Sequence, residues 1–208
     1  MAYEIYTSGP AATNSILVYS EKSPQALLFD TPLGCVEHWE KRLKKLEKTL
    51  SAILLTHSHW DHLADISMAK ETWKVPVGIH KEDAGNLRKP GSDGLPTPFF
   101  IEGVNPDFFV EGEEKKEYGG FAIEVLHTPG HTPGCVCFYF PEFGFVITGD
   151  TLFRRSIGRL DFPTARPQLM RHSLEKILAL PKGTIVIPGH GSTSSVDDEQ
   201  DIIERFGL

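Results

Sequence analysis

Four apolar runs in this chain each pass directly into a short polar motif that contains histidine or aspartate. The run "SAILL" leads into "THSHWDH" at residues 56–62, while "EVL", "FVI" and "IVI" lead into "HTPGH", "TGD" and "PGH". Short apolar runs of this kind predict buried strands. Scattered surface histidines would not follow strands four times, whereas a site on loops at one edge of rigid sheets would. The pattern therefore predicts sheets with one chemically active edge.

Strand-like and helix-like stretches alternate along the whole chain. In the second half, "PEFG" joins two apolar runs as a predicted hairpin. In the first half, Leu43, Leu46 and Leu50 recur at helical spacing. The predicted strands are 16–20, 26–30, 51–55, 75–80, 121–126, 135–140, 143–149 and 184–188, and the predicted helices are 36–50, 64–73, 81–88, 167–180 and "DDEQDIIERF" at the end. Since no linker or repeat divides the sequence, we expect one α/β domain over residues 1–208.

An irregular segment interrupts this alternation after residue 85. It holds eight glycines and prolines from Gly85 to Pro106, and it has no clear periodicity. Long segments of this kind are commonly functional loops or disordered ones. Its phenylalanines favour a segment that packs, and our interpretation is a lid over a pocket; they are Phe99, Phe100, Phe108 and Phe109.

Composition limits the partners and the compartment. The chain has 21 lysines and arginines against 28 acidic residues, and its net charge of -7 disfavours nucleic acid as a partner. No stretch approaches the roughly 18 apolar residues of a membrane span, and the N-terminus lacks a signal-peptide pattern. Three cysteines are too few for a disulfide framework. We expect a cytoplasmic protein without membrane contact, and the sequence specifies no oligomeric state.

The motifs supply more metal-ligating side chains than one ion needs. A catalytic zinc takes about three protein ligands and a water, so this number suits two ions that share a carboxylate. Nitrogen and oxygen donors without thiolate suit zinc, iron or manganese, and two zinc ions per chain are our prediction. The seven candidate ligands are His57, His59, Asp61, His62, His131, Asp150 and His190.

The four motifs "THSHWDH", "HTPGHTPG", "GDTLF" and "PGHG", in this order and spacing, resemble the metallo-β-lactamase fold over essentially the whole chain. The resemblance implies an αββα sandwich. It also implies that the first metal is held by His57, His59 and His131 and the second by Asp61, His62 and His190. Asp150 would then bridge the two ions.

Within that family, "GDTLF" followed by "SIGRLD" resembles glyoxalase II and its short bacterial relatives, the hydroxyacylglutathione hydrolase-like proteins. This resemblance implies hydrolysis of a small-molecule thioester by a metal-generated hydroxide. Asp61 is the predicted catalytic residue, since it could orient the hydroxide or carry its proton. Full-length glyoxalase II has a further C-terminal helical region for glutathione, whereas this sequence ends at Leu208, so we expect loose thiol specificity.

Other functions are compatible with parts of the pattern. A persulfide dioxygenase of the same fold also shows the HxHxDH motif but uses one iron. A non-catalytic metal-binding protein is the alternative from a different class, and the complete ligand set argues against it. A β-lactamase would usually be exported, a flavodiiron protein would have Glu in place of His59, and a tRNA-processing nuclease would need a basic arm.

Several nearby residues have simpler interpretations. We expect His127 to have a structural role or to support the ligands by a hydrogen bond. Arg159 and Asp161 could contact substrate, but an ion pair that shapes the site loop is favoured. Ordinary structural or packing roles are predicted for His38, His80, His172, Cys135 and Cys137.

Overall fold

Two mixed sheets lie at the centre of the computed structural model, which describes residues 2–208. Over these residues each sheet has six strands, and a separate two-stranded ribbon pairs β11 (Leu152–Phe153) with β12 (Ser156–Ile157). The first sheet runs in the order β1 (Ala2–Ser8), β2 (Thr13–Tyr19), β3 (Gln25–Phe29), β4 (Thr49–Leu54), β5 (Val77–Ile79), β6 (Phe108–Phe109). The second runs in the order β14 (Ser194–Ser195), β13 (Ile185–Pro188), β10 (Phe145–Gly149), β9 (Val136–Phe140), β8 (Phe121–His127), β7 (Glu114–Tyr118).

Helices cover the outer face of each sheet. They are α1 (Cys35–Leu46), α2 (Trp60–Leu63), α3 (Ile66–Trp73), α4 (Ala84–Arg88), α5 (Pro167–Leu178) and α6 (Ile202–Phe206), with a 3₁₀ turn at Asp197–Glu199. Met170, Leu174 and Ile177 recur along α5 at helical spacing and are buried against the second sheet. No helix within residues 2–208 is both long and apolar enough to cross a membrane.

The central strands are apolar on both faces because both faces of each sheet are covered there. In β2, Ile16 and Val18 pack between the two sheets, while Leu17 packs against the helices outside. In β9, Phe138 points between the sheets and Cys137 points towards α5. The layers are therefore helix, sheet, sheet and helix, so the predicted αββα sandwich is confirmed.

Parallel pairing places the chemical motifs at one edge. Strands β3, β4 and β5 run parallel in the first sheet, and β10 and β13 run parallel in the second, so their carboxyl ends point the same way. Backbone hydrogen bonds join the two sheets at that edge: the N–H of Val136 donates to Thr56, and that of Asn14 to Gly189. The edge predicted from the four motifs is a real feature of the fold.

Some predicted boundaries were wrong. The helix predicted at 36–50 ends at Leu46, because Glu47 adopts a left-handed conformation with φ of 55° and turns the chain into β4. Leu50, the third residue of the helical pattern, is instead a buried strand residue. The helix predicted from residue 64 begins at Ile66, after the separate turn α2. The closing helix is divided into the 3₁₀ turn and α6.

Six strands in the described part of the chain escaped prediction, and four of them have only two residues: β6, β11, β12 and β14. The other two are β1 and β7. β1 and β7 lie at sheet edges, where most of their side chains are partly buried or exposed. Polar residues interrupt both strands, so neither sequence contains the apolar run used to recognise strands. The irregular segment predicted at 85–106 is found between α4 and β6, and Phe99 in it packs edge-on against Trp60 at 5.9 Å between ring centroids.

Candidate metal centre

The loop after β4 carries the first two histidines, and buried carboxylates fix its backbone. Asp30, at the end of β3, accepts hydrogen bonds from the backbone N–H and the hydroxyl of Thr56, both at 2.8 Å. Asp83 accepts the N–H of Ser58 at 2.8 Å. Because these contacts lie immediately before His57 and between His57 and His59, the loop has little freedom to move its imidazoles.

His57, His59 and His131 form one donor triad whose ligand atoms lie within 4.8 Å of one another. The Nδ1 of His131 lies 2.8 Å from the carbonyl oxygen of Arg159, which requires a proton on Nδ1 and leaves Nε2 free to bind a metal. That Nε2 approaches Nδ1 of His59 at 2.7 Å. The three rings thus point their nitrogen lone pairs at one place.

Asp61, His62 and His190 form a second triad of the same size. The Nδ1 of His62 lies 2.8 Å from Asp30, so its Nε2 faces the centre. The hydroxyl of Thr13 donates to Oδ2 of Asp61 at 2.8 Å, and the same oxygen lies 3.2 Å from Nε2 of His190. Strand β2 therefore helps to position the predicted catalytic carboxylate.

Asp150 stands between the two triads. Its Oδ2 lies 3.4 Å from Nε2 of His131 and 3.5 Å from Nε2 of His190, and its Oδ1 lies 3.2 Å from Nε2 of His62. The backbone must pass very close to this group: a Cβ on Gly189 would collide with the Asp150 carboxylate and the His62 ring. All seven predicted ligands thus lie in one cluster, in which His57, His62 and Asp150 form a further group with ligand atoms within the same distance.

The buried polar atoms at the centre suit a pair of cations. Within residues 2–208, Nε2 of His57 and Oδ1 of Asp150 are buried without a hydrogen-bond partner. Such orphaned groups are costly in a protein interior unless a ligand satisfies them. The donors are nitrogen and oxygen atoms, and the described residues form three overlapping groups of three possible ligands. The cluster is suited to a dinuclear metal site.

Charges at the centre are strongly coupled. Burial would lower the pKa of His190, but hydrogen bonds to Asp150 and Asp61 outweigh it and raise the value to about 9. Burial would raise the pKa of Asp61, but the charge of His62 outweighs it and lowers the value to about 2. Burial and the neighbouring His131 lower the pKa of His59 to about 3. Imidazoles near the carboxylates thus hold protons that a metal ion would displace.

Zinc binding at neutral pH is therefore expected to release protons. His190 binds a metal in its neutral form, whereas a pKa of about 9 leaves it protonated in the metal-free protein at lower pH. The apparent zinc affinity should rise as the pH is raised towards that value, because less proton displacement is then required. Calorimetric titration in two buffers of different ionisation enthalpy measures the protons released. Zinc binding without proton release near neutral pH would contradict this assignment.

A cavity of about 340 Å³ opens directly onto the donors. Its lining includes the ligands His59, Asp61, His131, Asp150 and His190. Apolar side chains form most of the remaining wall: Trp60, Leu95, Phe153, Ile157 and Phe162. Because Leu95 belongs to the irregular segment, that segment contributes part of the cavity wall.

The other residues near the metal centre either form contacts that shape its loops or pack in the interior. Arg159 and Asp161 form the predicted ion pair, at 2.6 Å and largely exposed, and the guanidinium also lies over the ring of Phe162. His127 stacks on His80 at 4.2 Å between ring centroids and lies outside both triads. Cys135 and Cys137 are buried and free.

Sequence reasoning missed the carboxylates that hold the ligands. Asp30 follows a buried strand, as the ligands do, and that position was the available signal. Asp83 has no comparable signal: it becomes important because it also accepts the hydroxyl of Thr132 and the N–H of Gly134, which lie beside His131. One buried side chain thereby connects the loop of the first two histidines to the loop of the third.

Comparison with known proteins identifies the family of this chain. A family model described as the metallo-beta-lactamase superfamily matches residues 8–190. The chain belongs to the metallo-beta-lactamase superfamily. It is 35% identical over 196 residues to the probable metallo-hydrolase YqgX of Bacillus subtilis, covering 93% of this chain and 92% of that protein. It is 34% identical over 195 residues to the hydroxyacylglutathione hydrolase GloC of Haemophilus influenzae, covering 90% and 89%.

Solved structures show the same fold. BLEG-1, a B3 metallo-beta-lactamase, is 34% identical with a TM-score of 0.89, covering 96% of this chain and 97% of that one. TTHA1623 in a di-iron-bound form is also 34% identical, with a TM-score of 0.82 and coverage of 95% and 96%. ETHE1 from Myxococcus xanthus is 25% identical, with a TM-score of 0.79 and coverage of 96% and 82%. The predicted family is confirmed, and the chain is a metal-dependent hydrolase.

Proposed function

We propose that this hydrolase is a dinuclear zinc thioesterase that acts on S-acylglutathiones or other small thioesters. The observation that carries the proposal is the pair of donor triads, joined by Asp150, at the base of a largely apolar cavity. The similarity to GloC supports a thioester as the bond that is cleaved. Zinc is favoured by the histidine and carboxylate donors, and iron and manganese are the alternatives.

The proposed division of roles follows from the positions of the side chains. His57, His59 and His131 would hold one ion, Asp61, His62 and His190 the other, and Asp150 would contact both. Such ions, when bound, lower the pKa of water to about 7 and polarise a carbonyl oxygen. Asp61 faces the cavity and is oriented by Thr13, so it is placed to orient a water molecule or hydroxide there or to carry its proton.

The cavity wall supports an acyl substrate. Phe162 packs edge-on against His59 at 5.3 Å between ring centroids, and Phe153 packs edge-on against His190 at 5.9 Å. Aromatic walls on both sides of the donors would bind an acyl chain through apolar contact and exclude bulk water from the carbonyl. Few charged groups line the cavity besides the donors and Arg159, so we propose loose specificity for the thiol.

A persulfide dioxygenase that uses one iron is the second candidate, and the similarity to ETHE1 favours it. Because that dioxygenase shares the HxHxDH motif, Asp61 and His62 do not discriminate between the two candidates; the identity and number of the bound metal ions do. A non-catalytic metal-binding protein is a weaker candidate, since both triads and the adjoining cavity are complete.

Protein purified with zinc available is expected to hold about two ions per chain, since two ligand sets each suit one zinc. Elemental analysis of dialysed protein measures this number. A chelator should remove the ions together with thioesterase activity, and added zinc should restore both. One tightly held iron, with no second ion after zinc loading, would contradict the dinuclear proposal.

A further inference from the structure

One carboxylate of the irregular segment lies beside the metal centre without belonging to either triad. The side chain of Asp93 is 7% exposed, and its Oδ2 lies 3.8 Å from Nε2 of His59. The side-chain amide of Asn86 donates to the same oxygen at 3.0 Å and also to the carbonyl of Ser58 at 2.6 Å. Asp93 is therefore fixed against the loop that carries the first two histidines.

His59 is oriented differently from the other histidines of its triad. Nδ1 of His131 meets the carbonyl of Arg159, and Nδ1 of His57 lies 3.1 Å from the hydroxyl of Thr56, so both present Nε2 to the centre. His59 presents Nδ1 instead, since that atom meets Nε2 of His131. A histidine that binds metal through Nδ1 carries its proton on Nε2.

The Nε2 atom of His59 is buried and has no hydrogen-bond partner in the part of the chain that the structure describes. Asp93 is the carboxylate within ion-pair distance of it. An N–H to carboxylate hydrogen bond spans about 2.8 Å, so a relative shift of about 1 Å would close the gap. Metal-binding histidines almost always donate their other N–H to a carboxylate, a carbonyl or water, which fixes the tautomer and the ring orientation.

We propose that Asp93 is the positioning residue of His59: it accepts the Nε2–H of the metal-bound imidazole and holds Nδ1 towards the first ion. This inference rests on the proposed dinuclear centre. The other oxygen of Asp93 accepts the N–H of Leu95 at 3.0 Å, and Leu95 lines the cavity. One carboxylate thus anchors both a metal ligand and a wall of the substrate cavity.

The test compares zinc affinity and a proton signal in the whole chain. Asp93→Ala is expected to weaken binding of the first zinc by about 10–100-fold, measured by competition with a chromophoric chelator. Proton NMR of the zinc-loaded wild type should show a slowly exchanging, downfield imidazole N–H, assigned by its absence in His59→Ala. Asp93→Ala should lose that signal, and Asp93→Asn should shift it upfield, because an amide oxygen is a weaker acceptor than a carboxylate.

Asp107→Ala is the matched control. Asp107, like Asp93, lies between α4 and β6; it accepts the N–H of Val77 at 2.8 Å while pairing with Lys70, so its loss loosens this connection without touching a ligand. It should lower the unfolding midpoint but leave zinc affinity and the N–H signal unchanged. A merely structural role for Asp93 would give this same result in Asp93→Ala.

The outcomes separate the inference from the proposed function. The wild type could bind two zinc ions while Asp93→Ala keeps the same zinc affinity and the same N–H signal. That result would overturn the role of Asp93 and leave the dinuclear centre standing. Wild type that binds no zinc would overturn the dinuclear centre and this inference with it. If Asp93→Ala fails to fold, Asp93→Asn decides: an unshifted N–H signal would overturn the assignment.

Discussion

Asp150→Ala is expected to lower kcat/KM for thioester hydrolysis by roughly 10³-fold or more, since metal stabilisation of the transition state amounts to several kcal/mol and each 1.36 kcal/mol is a factor of ten. Asp150 contacts members of both triads, so its loss should impair both ion sites. Steady-state kinetics gives the rate, and elemental analysis of the same sample gives the loss of metal.

Cys137→Ala is the control for a nearby buried change. Its thiol packs between α5 and the second sheet and lies outside the donor triads. The substitution removes a single sulfur atom and should leave metal content and kcat/KM close to wild type. Near-normal turnover in Asp150→Ala would show that this carboxylate does not join the two sites.

Asp30→Ala is expected to lower the free energy of unfolding of the metal-free protein by about 3–5 kcal/mol, the usual result of removing one partner of a buried ion pair. Burial opposes protonation of His62, but Asp150, Asp61 and Asp30 raise its pKa well above the ordinary value, so Asp30 is one of three carboxylates that favour the charged ring. The loss of Asp30 would also leave the N–H and hydroxyl of Thr56 without an acceptor. Urea unfolding at neutral pH measures the change.

Asp161→Ala is the matched control for Asp30. Asp161 also pairs with a cation, Arg159, but both side chains are two-thirds exposed and water screens their attraction. Its unfolding midpoint should stay close to wild type. If Asp30→Ala unfolded at the same urea concentration as Asp161→Ala, the carboxylate network behind His62 would not contribute to stability as described.

The ligands could be predicted from sequence because each follows a buried strand, where chain direction alone brings distant motifs to one edge. The supporting carboxylates could not be predicted in the same way. Asp83 and Asp93 lie on loops that reach the ligands only in the folded chain. No regular spacing in the sequence indicates that these residues will be near the ligands.

The end of α1 shows a different reason why sequence could not predict every boundary. The leucine pattern continues to Leu50, and glutamate is a good helix former, so local preference favours a longer helix. The left-handed conformation at Glu47 is uncommon for a residue other than glycine. The fold tolerates this conformation at Glu47 because Leu50 is buried in β4, and this tertiary packing outweighs the local preference for helix.

The most direct test of the account is a parallel assay of zinc-loaded and iron-loaded protein. Each preparation is given S-lactoylglutathione, with thioester loss measured, and glutathione persulfide, with oxygen uptake measured. We predict that the zinc-loaded protein hydrolyses the thioester and other small thioesters with a high KM, and that neither preparation consumes oxygen. Oxygen uptake with persulfide and no thioester cleavage would contradict the thioesterase account and favour the dioxygenase.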